Sequence, residues 1–195
     1  MEISIKNTGI CNAQKIRIDR PQWGYTTYIP EVFAQLSYSD AGFMVKFTVM
    51  ENEPICEKTE NFGNIHEDSC VEFFANFDPE HSNRYMNVEI NAIGTVKAAI
   101  RTSRENYEYL VNDIDSLEIK TEILKDLWSV EYKIPESLLK RLYPGFSMEN
   151  CKYIKANIYK CGEKAKVEHY LALFDLDPNR PDFHNPECFR RIDLV

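Results

Sequence analysis

Apolar and polar residues alternate along most of this 195-residue chain, and a period of two is typical of β-strands. The clearest case is a hairpin in which strands over 32–38 and 43–49 flank the turn-forming residues 39–42. The same alternation predicts further strands over 69–77, 84–91, 95–101, 118–123, 128–134, 152–160, 168–174 and 189–194. About ten short strands at this spacing predict an all-β, antiparallel sandwich of two sheets.

Helical spacing is confined to residues 135–142, where Pro135 suits a first helical position and Pro144-Gly145 ends the segment. The sequence therefore predicts one short helix. Three polar segments without strand periodicity, 51–68, 101–115 and 178–186, are predicted to be long loops, where binding residues usually collect. No repeat or linker divides the chain, so we expect one domain over residues 1–195.

Composition and charge argue against two classes of binding partner, nucleic acids and membranes. The chain has 44% hydrophobic residues and a formal net charge of -8, so it should fold and should repel a nucleic acid backbone. The nearby Arg101 and Arg104 are interpreted as solvated surface. The first residues lack the apolar run of a signal peptide or membrane span, so we expect no membrane partner. As written, the chain is predicted to be cytoplasmic, or extracellular if a leader is missing.

The six cysteines are scattered along a chain that is long enough to bury its own core, so we expect reduced thiols rather than a disulfide framework. No CxxC motif occurs. His184 and Cys188 resemble one arm of a zinc site, but they lack a second pair of ligands at a standard spacing. The sequence therefore predicts no structural zinc.

The densest group of chemically capable side chains lies at residues 66–74, where a polar loop runs into an alternating strand. Period two places Glu72 and Phe74 on one face of this strand, and Asn87 and Glu89 on one face of the next, where they could face Glu72. Sugars stack their C–H faces on aromatic rings and donate hydroxyl protons to carboxylates, so this combination suits a saccharide.

Three other interpretations of these residues stay open. The polar stripe could be an ordinary solvent face, or Glu72 and Glu89 could be the two carboxyl groups of a glycosidase. A calcium ion could use Asp68, although no EF-hand loop surrounds it. Of the two tryptophans, Trp128 is predicted to lie in the core. Trp23 is equally compatible with a buried, packed ring and with an exposed ring on which a ligand could stack.

Several segments in order resemble the family 9 carbohydrate-binding modules, over about residues 32–194. They are DSCVEFF at 68–74, YMNVEIN at 85–91, ANIYKCG at 156–162, HYL at 169–171 and PDFHNPECF at 181–189. The resemblance implies an immunoglobulin-like β-sandwich that binds a saccharide, often the end of a xylan or cellulose chain. It also implies a structural calcium ion in many members, and frequent attachment to xylanases without any cleavage by the module itself.

The chain departs from the family pattern at its binding positions. Two tryptophans clamp the terminal sugar in sugar-binding members, and the matching residues here are His66 and Leu173. Glu72 falls at the family's hydrogen-bonding carboxylate, whereas Glu89 replaces an arginine, which inverts charge and turns donors into acceptors.

We therefore predict non-catalytic binding of a xylan- or cellulose-type oligosaccharide or chain end. Glu72, Asn87 and Glu89 are the expected polar contacts, and His66 with Tyr170 or Phe174 the expected stacking surface. No cofactor is required, and a structural calcium ion at Asp68 is an expectation from the resemblance. The alternatives are a glycan hydrolase that uses Glu72 and Glu89, and a sandwich that has lost sugar binding and serves as an interaction domain.

Overall fold

Two β-sheets pack face to face in a computed structural model, which describes residues 3–24 and 28–195. The strands are β1 (Ile3–Ile5), β2 (Lys15–Arg17), β3 (Arg20–Pro21), β4 (Glu31–Ser39), β5 (Gly42–Met50), β6 (Cys70–Asn76), β7 (Tyr85–Asn91), β8 (Val96–Arg101), β9 (Tyr107–Tyr109), β10 (Lys120–Ile123), β11 (Trp128–Pro135), β12 (Tyr153–Gly162), β13 (His169–Ala172) and β14 (Arg190–Leu194). One α-helix, α1 (Glu136–Leu142), follows β11, and short 3₁₀ turns lie at Ile10–Asn12, Ile65–Glu67, Ile114–Leu117 and Pro186–Cys188. The predicted all-β sandwich with one short helix is confirmed.

The larger sheet has nine strands, in the order β1-β14-β12-β6-β7-β8-β9, and β13 and β3 continue it beside the second half of β12. The smaller sheet has the order β10-β11-β5-β4-β2. Within residues 3–24 and 28–195, the paired strands named above are antiparallel except β1 with β14, which are parallel. The predicted β4–β5 hairpin is present, and Gly42 has a φ of +123°, where a Cβ would collide with the carbonyl oxygen of Ile134.

The sequence patterns missed four strands. β1, β2 and β3 have only two or three residues each, too few to show a period, and β9 lies inside the segment 101–115 that we predicted to be a loop. Pro135 closes β11 and caps α1 instead of opening the helix. The two other predicted loops, at 51–68 and 178–186, contain only 3₁₀ turns.

The main core fills the space between the sheets. Phe47, Phe73 and Val88 point inward and are at most 1% exposed, and Trp128 is fully buried as predicted. The indole Nε1 of Trp128 donates a hydrogen bond of 2.9 Å to the buried carboxylate of Glu51. Each such large side chain contributes roughly 1.5–3 kcal/mol of hydrophobic stabilisation.

A second apolar cluster lies on the outer face of the nine-stranded sheet. Phe74, Tyr85 and Tyr159 project from the sheet and pack against Phe183 and Phe189, which belong to the segment before β14. This face is therefore covered rather than open to solvent. Among the described residues, no helix is both long enough and apolar enough to span a bilayer.

Candidate functional site

A cleft of about 470 Å³ opens on the covered outer face of the nine-stranded sheet, within the volume range of small-molecule sites. Its floor is formed by Glu72 on β6, Glu89 on β7, Lys97 on β8 and Cys161 on β12. These strands are neighbours, and the register places Glu72 directly opposite Glu89 and Glu89 directly opposite Lys97. The predicted facing of Glu72 and Glu89 is thus present in the structure.

The two facing carboxyl groups are each only 2% exposed. Burial and the neighbouring charge of Glu89 raise the pKa of Glu72 well above its usual value. Burial also raises the pKa of Glu89, although the charges of Lys97 and Arg101 oppose that shift. The pair therefore retains a proton at a pH where separate glutamates would be ionised, so the floor offers both a hydrogen-bond donor and acceptors.

Asn87 supports this floor from one side without lining the cleft. Its Nδ2 donates to Glu89 Oε1 at 2.9 Å, and its Oδ1 accepts from Arg101 Nε at 2.6 Å. Asn87 is fully buried and Arg101 is 4% exposed, so the interpretation of Arg101 as solvated surface was wrong. The period-two pattern could not reveal this, because β9 and the residues after β8 cover Arg101, and Tyr107 packs on its guanidinium at 4.3 Å.

Aromatic rings form one wall of the cleft. Trp23, which follows β3, lies 5.2 Å from Tyr170 and 5.1 Å from Phe183, measured between ring centroids. Trp23 has a φ of 58°, and its indole Nε1 is buried without a hydrogen-bond partner among the described residues. Trp23 and Tyr170 are partly exposed, so the wall presents ring surface to the cleft.

Charged and polar groups line the rim. His66 Nε2 lies 3.6 Å from Glu163, and Arg104, which is exposed as predicted, pairs with Asp182 at 2.6 Å and lines the cleft. Burial lowers the pKa of His66, and burial together with nearby arginines lowers the pKa of His184 to about 2. His184 is therefore a neutral ring in the cleft, and its Nδ1 is 3.2 Å from the hydroxyl of Tyr85.

A buried polar network holds β13, and hence Tyr170, in place. Lys160 on β12 lies 2.8 Å from His169 Nε2 and 3.3 Å from Glu51, and burial with the Lys160 charge lowers the pKa of His169 to about 4. Gly162 faces His169 across the strands, where any Cβ would collide with the imidazole. A larger residue at position 162 would therefore displace His169 and disturb β13.

Phe174 and Leu173 do not belong to the cleft. Phe174 lies beyond the end of β13, is 7% exposed and packs in the core between the sheets, as does Leu173. The amide N–H of Phe174 donates to Asn157 Oδ1 at 3.1 Å, which fixes its backbone. The interpretation of Phe174 as a stacking surface does not agree with this position, because alternation continued past the last strand residue is no longer informative.

Asp68 lies behind the floor and anchors the preceding loop. Its carboxylate accepts hydrogen bonds from the N–H of Glu57, the N–H of Lys58 and the side-chain amide of Asn91, at 2.9–3.1 Å. Three of about four lone-pair directions are thus used by N–H donors. Calcium prefers six to eight oxygen ligands, so this donor set does not fit a calcium site built on Asp68.

The family of the chain follows from comparison with known proteins. The family model for carbohydrate-binding family 9 matches residues 8–194. The chain belongs to carbohydrate-binding family 9. No curated protein sequence matches it.

Solved structures show the same fold as this family 9 chain. A proposed carbohydrate-binding protein from Bacteroides uniformis ATCC 8492 has a TM-score of 0.83 at 21% identity, with 100% of this chain and 98% of that chain covered. A family 9 module from Caldicellulosiruptor kristjanssonii in complex with cellotriose has a TM-score of 0.69 at 14% identity, covering 100% and 93%. The glucose complex of a module from the same organism has a TM-score of 0.67 at 15% identity, covering 100% and 95%.

Family 9 modules bind carbohydrate without catalysis, so the prediction of a non-catalytic carbohydrate-binding protein is confirmed. Glu72 and Glu89 face each other, but the family does not use a carboxyl pair for hydrolysis. Sequence reasoning brought together His66, Glu72, Glu89 and Tyr170, which all line the cleft. It missed Lys97, Arg104, Glu163, Asp182, Phe183 and His184, although the segment 181–189 was one of the matching family motifs.

Proposed function

We propose that this family 9 chain binds the end of a xylan- or cellulose-type oligosaccharide in the cleft on its nine-stranded sheet. The observation that carries the proposal is a floor of paired buried carboxyl groups beside a wall of partly exposed aromatic rings. Neutral sugars need both surfaces, because they present hydroxyl groups along their rims and C–H groups on their faces.

The polar half of the proposal rests on Glu72 and Glu89. A carboxyl pair that keeps one proton can accept hydrogen bonds from sugar hydroxyls and donate one in return. Lys97, 3.8 Å from Glu89, adds a donor at the same depth. In this proposal Asn87 positions Glu89 through its 2.9 Å hydrogen bond and does not contact the sugar.

The stacking half rests on Trp23 and Tyr170, and His66 also lines the cleft. We propose that Trp23 supplies the platform that the tryptophan positions at His66 and Leu173 no longer provide. The Nε1 of Trp23 has no hydrogen-bond partner in the described part of the chain, which supports this role, because a buried donor without an acceptor is costly and a sugar oxygen that reached it would satisfy it. The cellotriose and glucose complexes of the Caldicellulosiruptor modules support the choice of β-linked glucans.

Titration calorimetry with cellobiose, xylobiose, glucose and xylose tests the proposal. We expect saturation at one sugar per chain, with the disaccharides bound more tightly than the monosaccharides, and no product released on prolonged incubation. Absence of heat with all four sugars, from protein with an intact thermal transition, would overturn the proposal and leave an interaction domain. Release of monosaccharide would overturn its non-catalytic part.

A parallel titration with excess calcium, and one with a chelator, tests the expectation of structural calcium. The N–H donors around Asp68 lead us to expect the same sugar affinity and the same melting temperature in both. A rise in melting temperature with calcium would instead indicate a calcium site elsewhere in the chain.

A further inference from the structure

Two reduced cysteines face each other at the floor of the cleft, one lining it and the other buried beside it. Cys70 on β6 and Cys161 on β12 are directly opposite in the antiparallel register, so their side chains project from the same face of the sheet. Glu72 lies two residues beyond Cys70 and shares that face. One ligand atom from each of Cys70, Glu72 and Cys161 lies within 4.8 Å of the others.

This donor set matches one class of metal ion. Two thiolates and one carboxylate suit a borderline-soft divalent cation such as Zn²⁺, whose bonds of about 2.3 Å to sulfur and 2.0–2.2 Å to oxygen place these tetrahedral ligands roughly 3.5–3.8 Å apart. We propose that Cys70, Glu72 and Cys161 bind one such ion, with its fourth coordination position open to the cleft.

The cleft gives the ion a way in. Glu72 and Cys161 line the cleft, and Cys70 lies immediately behind them, fully buried. The thiol of Cys161 now donates to the carbonyl oxygen of His66 at 3.1 Å, and the thiol of Cys70 donates to Glu72 at 3.6 Å. An incoming dication displaces these protons to solvent and takes their place between the same atoms.

Charge balance favours an ion at this position. Three anionic ligands around a dication leave one net negative charge, and the cation of Lys97 acts on Glu72 across the floor. The open fourth position faces the same space that we propose for the sugar, so a water or a sugar hydroxyl would complete the tetrahedron. The metal site does not require a bound sugar. Glu72 would serve as a metal ligand here and as a hydrogen-bonding group for the sugar in the proposed function.

Titration of the reduced full-length protein with Co²⁺ tests the proposal, because cobalt in a tetrahedral thiolate site gives visible bands and a near-ultraviolet sulfur charge-transfer band. We expect both signals to saturate at one cobalt per chain and to disappear on addition of Zn²⁺. In Cys70→Ser and Cys161→Ser the affinity should fall by more than about 10- to 100-fold, the loss that outer-sphere changes already cause. Cys188→Ser and Cys11→Ser, which remove a buried and an exposed thiol outside the cluster, should leave both signals unchanged.

The wild-type titration alone can overturn the proposal, since a folded, reduced protein without a saturable cobalt signal has no such site. Equal loss of signal in Cys188→Ser would also overturn it. Cys70 does not line the cleft, so in the presence of a chelator Cys70→Ser should bind cellobiose as the metal-free wild type does, although it has lost the cobalt signal. A protein that binds cobalt but no sugar would contradict only the proposed function, and one that binds sugar but no cobalt only this inference.

Discussion

The outer faces of the two sheets have the same alternating sequence pattern but differ in solvent exposure. On the five-stranded sheet, Lys46 and Glu131 face each other across β5 and β11, lie 3.3 Å apart and are 29% and 23% exposed. On the nine-stranded sheet, Glu72 and Glu89 face each other across β6 and β7 and are almost fully buried. An ion pair of opposite charges lies on the solvated face, whereas two facing carboxyl groups that keep a proton between them lie on the covered one.

The difference shows that the floor of the cleft carries a pair of side chains that is unfavourable for folding. Two ionised carboxylates directly opposite each other in a sheet would repel, and burial adds a desolvation cost that a solvated pair does not bear, so the Glu72 and Glu89 pair keeps a proton at a pH where separate glutamates would be ionised. The unfavourable pair lies at the floor of the cleft, where a ligand would satisfy it.

The largest expected effect is a difference in stability between substitutions of the two tryptophans, Trp128 on the five-stranded sheet and Trp23 beside the nine-stranded one. Trp128→Ala should lower the free energy of unfolding by about 3–5 kcal/mol, because it empties the core and removes the donor to Glu51. Trp23→Ala should cost less stability but weaken cellobiose binding about tenfold, since it removes the proposed platform. Denaturant melts and calorimetry of both variants measure this, and unchanged affinity in Trp23→Ala would remove Trp23 from the site.

The next largest effect is the loss of sugar binding in Glu72→Ala. Hydrogen bonds to charged groups contribute about 1.5–3 kcal/mol, so affinity should fall about 10- to 100-fold or below detection while the fold stays intact. Glu131→Ala, on the solvated face, is the matched control and should bind as the wild type does. Wild-type affinity in Glu72→Ala would show that the sugar is held elsewhere.

The dependence of stability on pH should differ between wild type and Glu72→Gln. Because the folded-state pKa of Glu72 lies above its unfolded value, the folded protein holds the extra proton, and its stabilisation is lost as pH rises from about 4.3 through the folded pKa. The wild type should therefore lose up to about 1.4 kcal/mol per pH unit relative to Glu72→Gln in that window. Melts from acid to neutral pH measure the difference, and parallel curves would refute the raised pKa.

The smallest effect is expected on the solvated pair. Glu131→Gln should lower the free energy of unfolding by only about 0.2–1 kcal/mol, and high salt should abolish the difference, because the Lys46 and Glu131 charges are partly solvated. Chemical denaturation at low and high salt provides the measurement. A larger, salt-independent loss would mean that the two faces differ less than their exposure indicates.

The strands of both sheets were predictable wherever they are long enough to alternate. β4, β5, β7 and β11 each have seven or more residues and one inward apolar face, so their type and approximate bounds follow from the sequence. β1 and β3 are too short to show a period and exist because longer neighbours offer free edges, β14 to β1 and β13 to β3.

The floor of the site was predictable for the same reason. Glu72 and Glu89 belong to consecutive strands joined by residues 77–84, so period and order make a facing arrangement possible, and the register realises it. The position of Phe174 could not be predicted from alternation, because its strand ends at Ala172 and the chain then turns the ring into the core.

The sequence by itself determined which residues share a face of each strand, and thus the sandwich and the facing carboxyl groups. Only the tertiary structure decided which outer face is covered. Trp23, His66, Tyr170 and Phe183 come from separate segments, and their distances depend on packing rather than on spacing along the chain. Period two is identical for a solvated face and a covered one, so the pattern alone cannot distinguish a surface from the floor of a cleft.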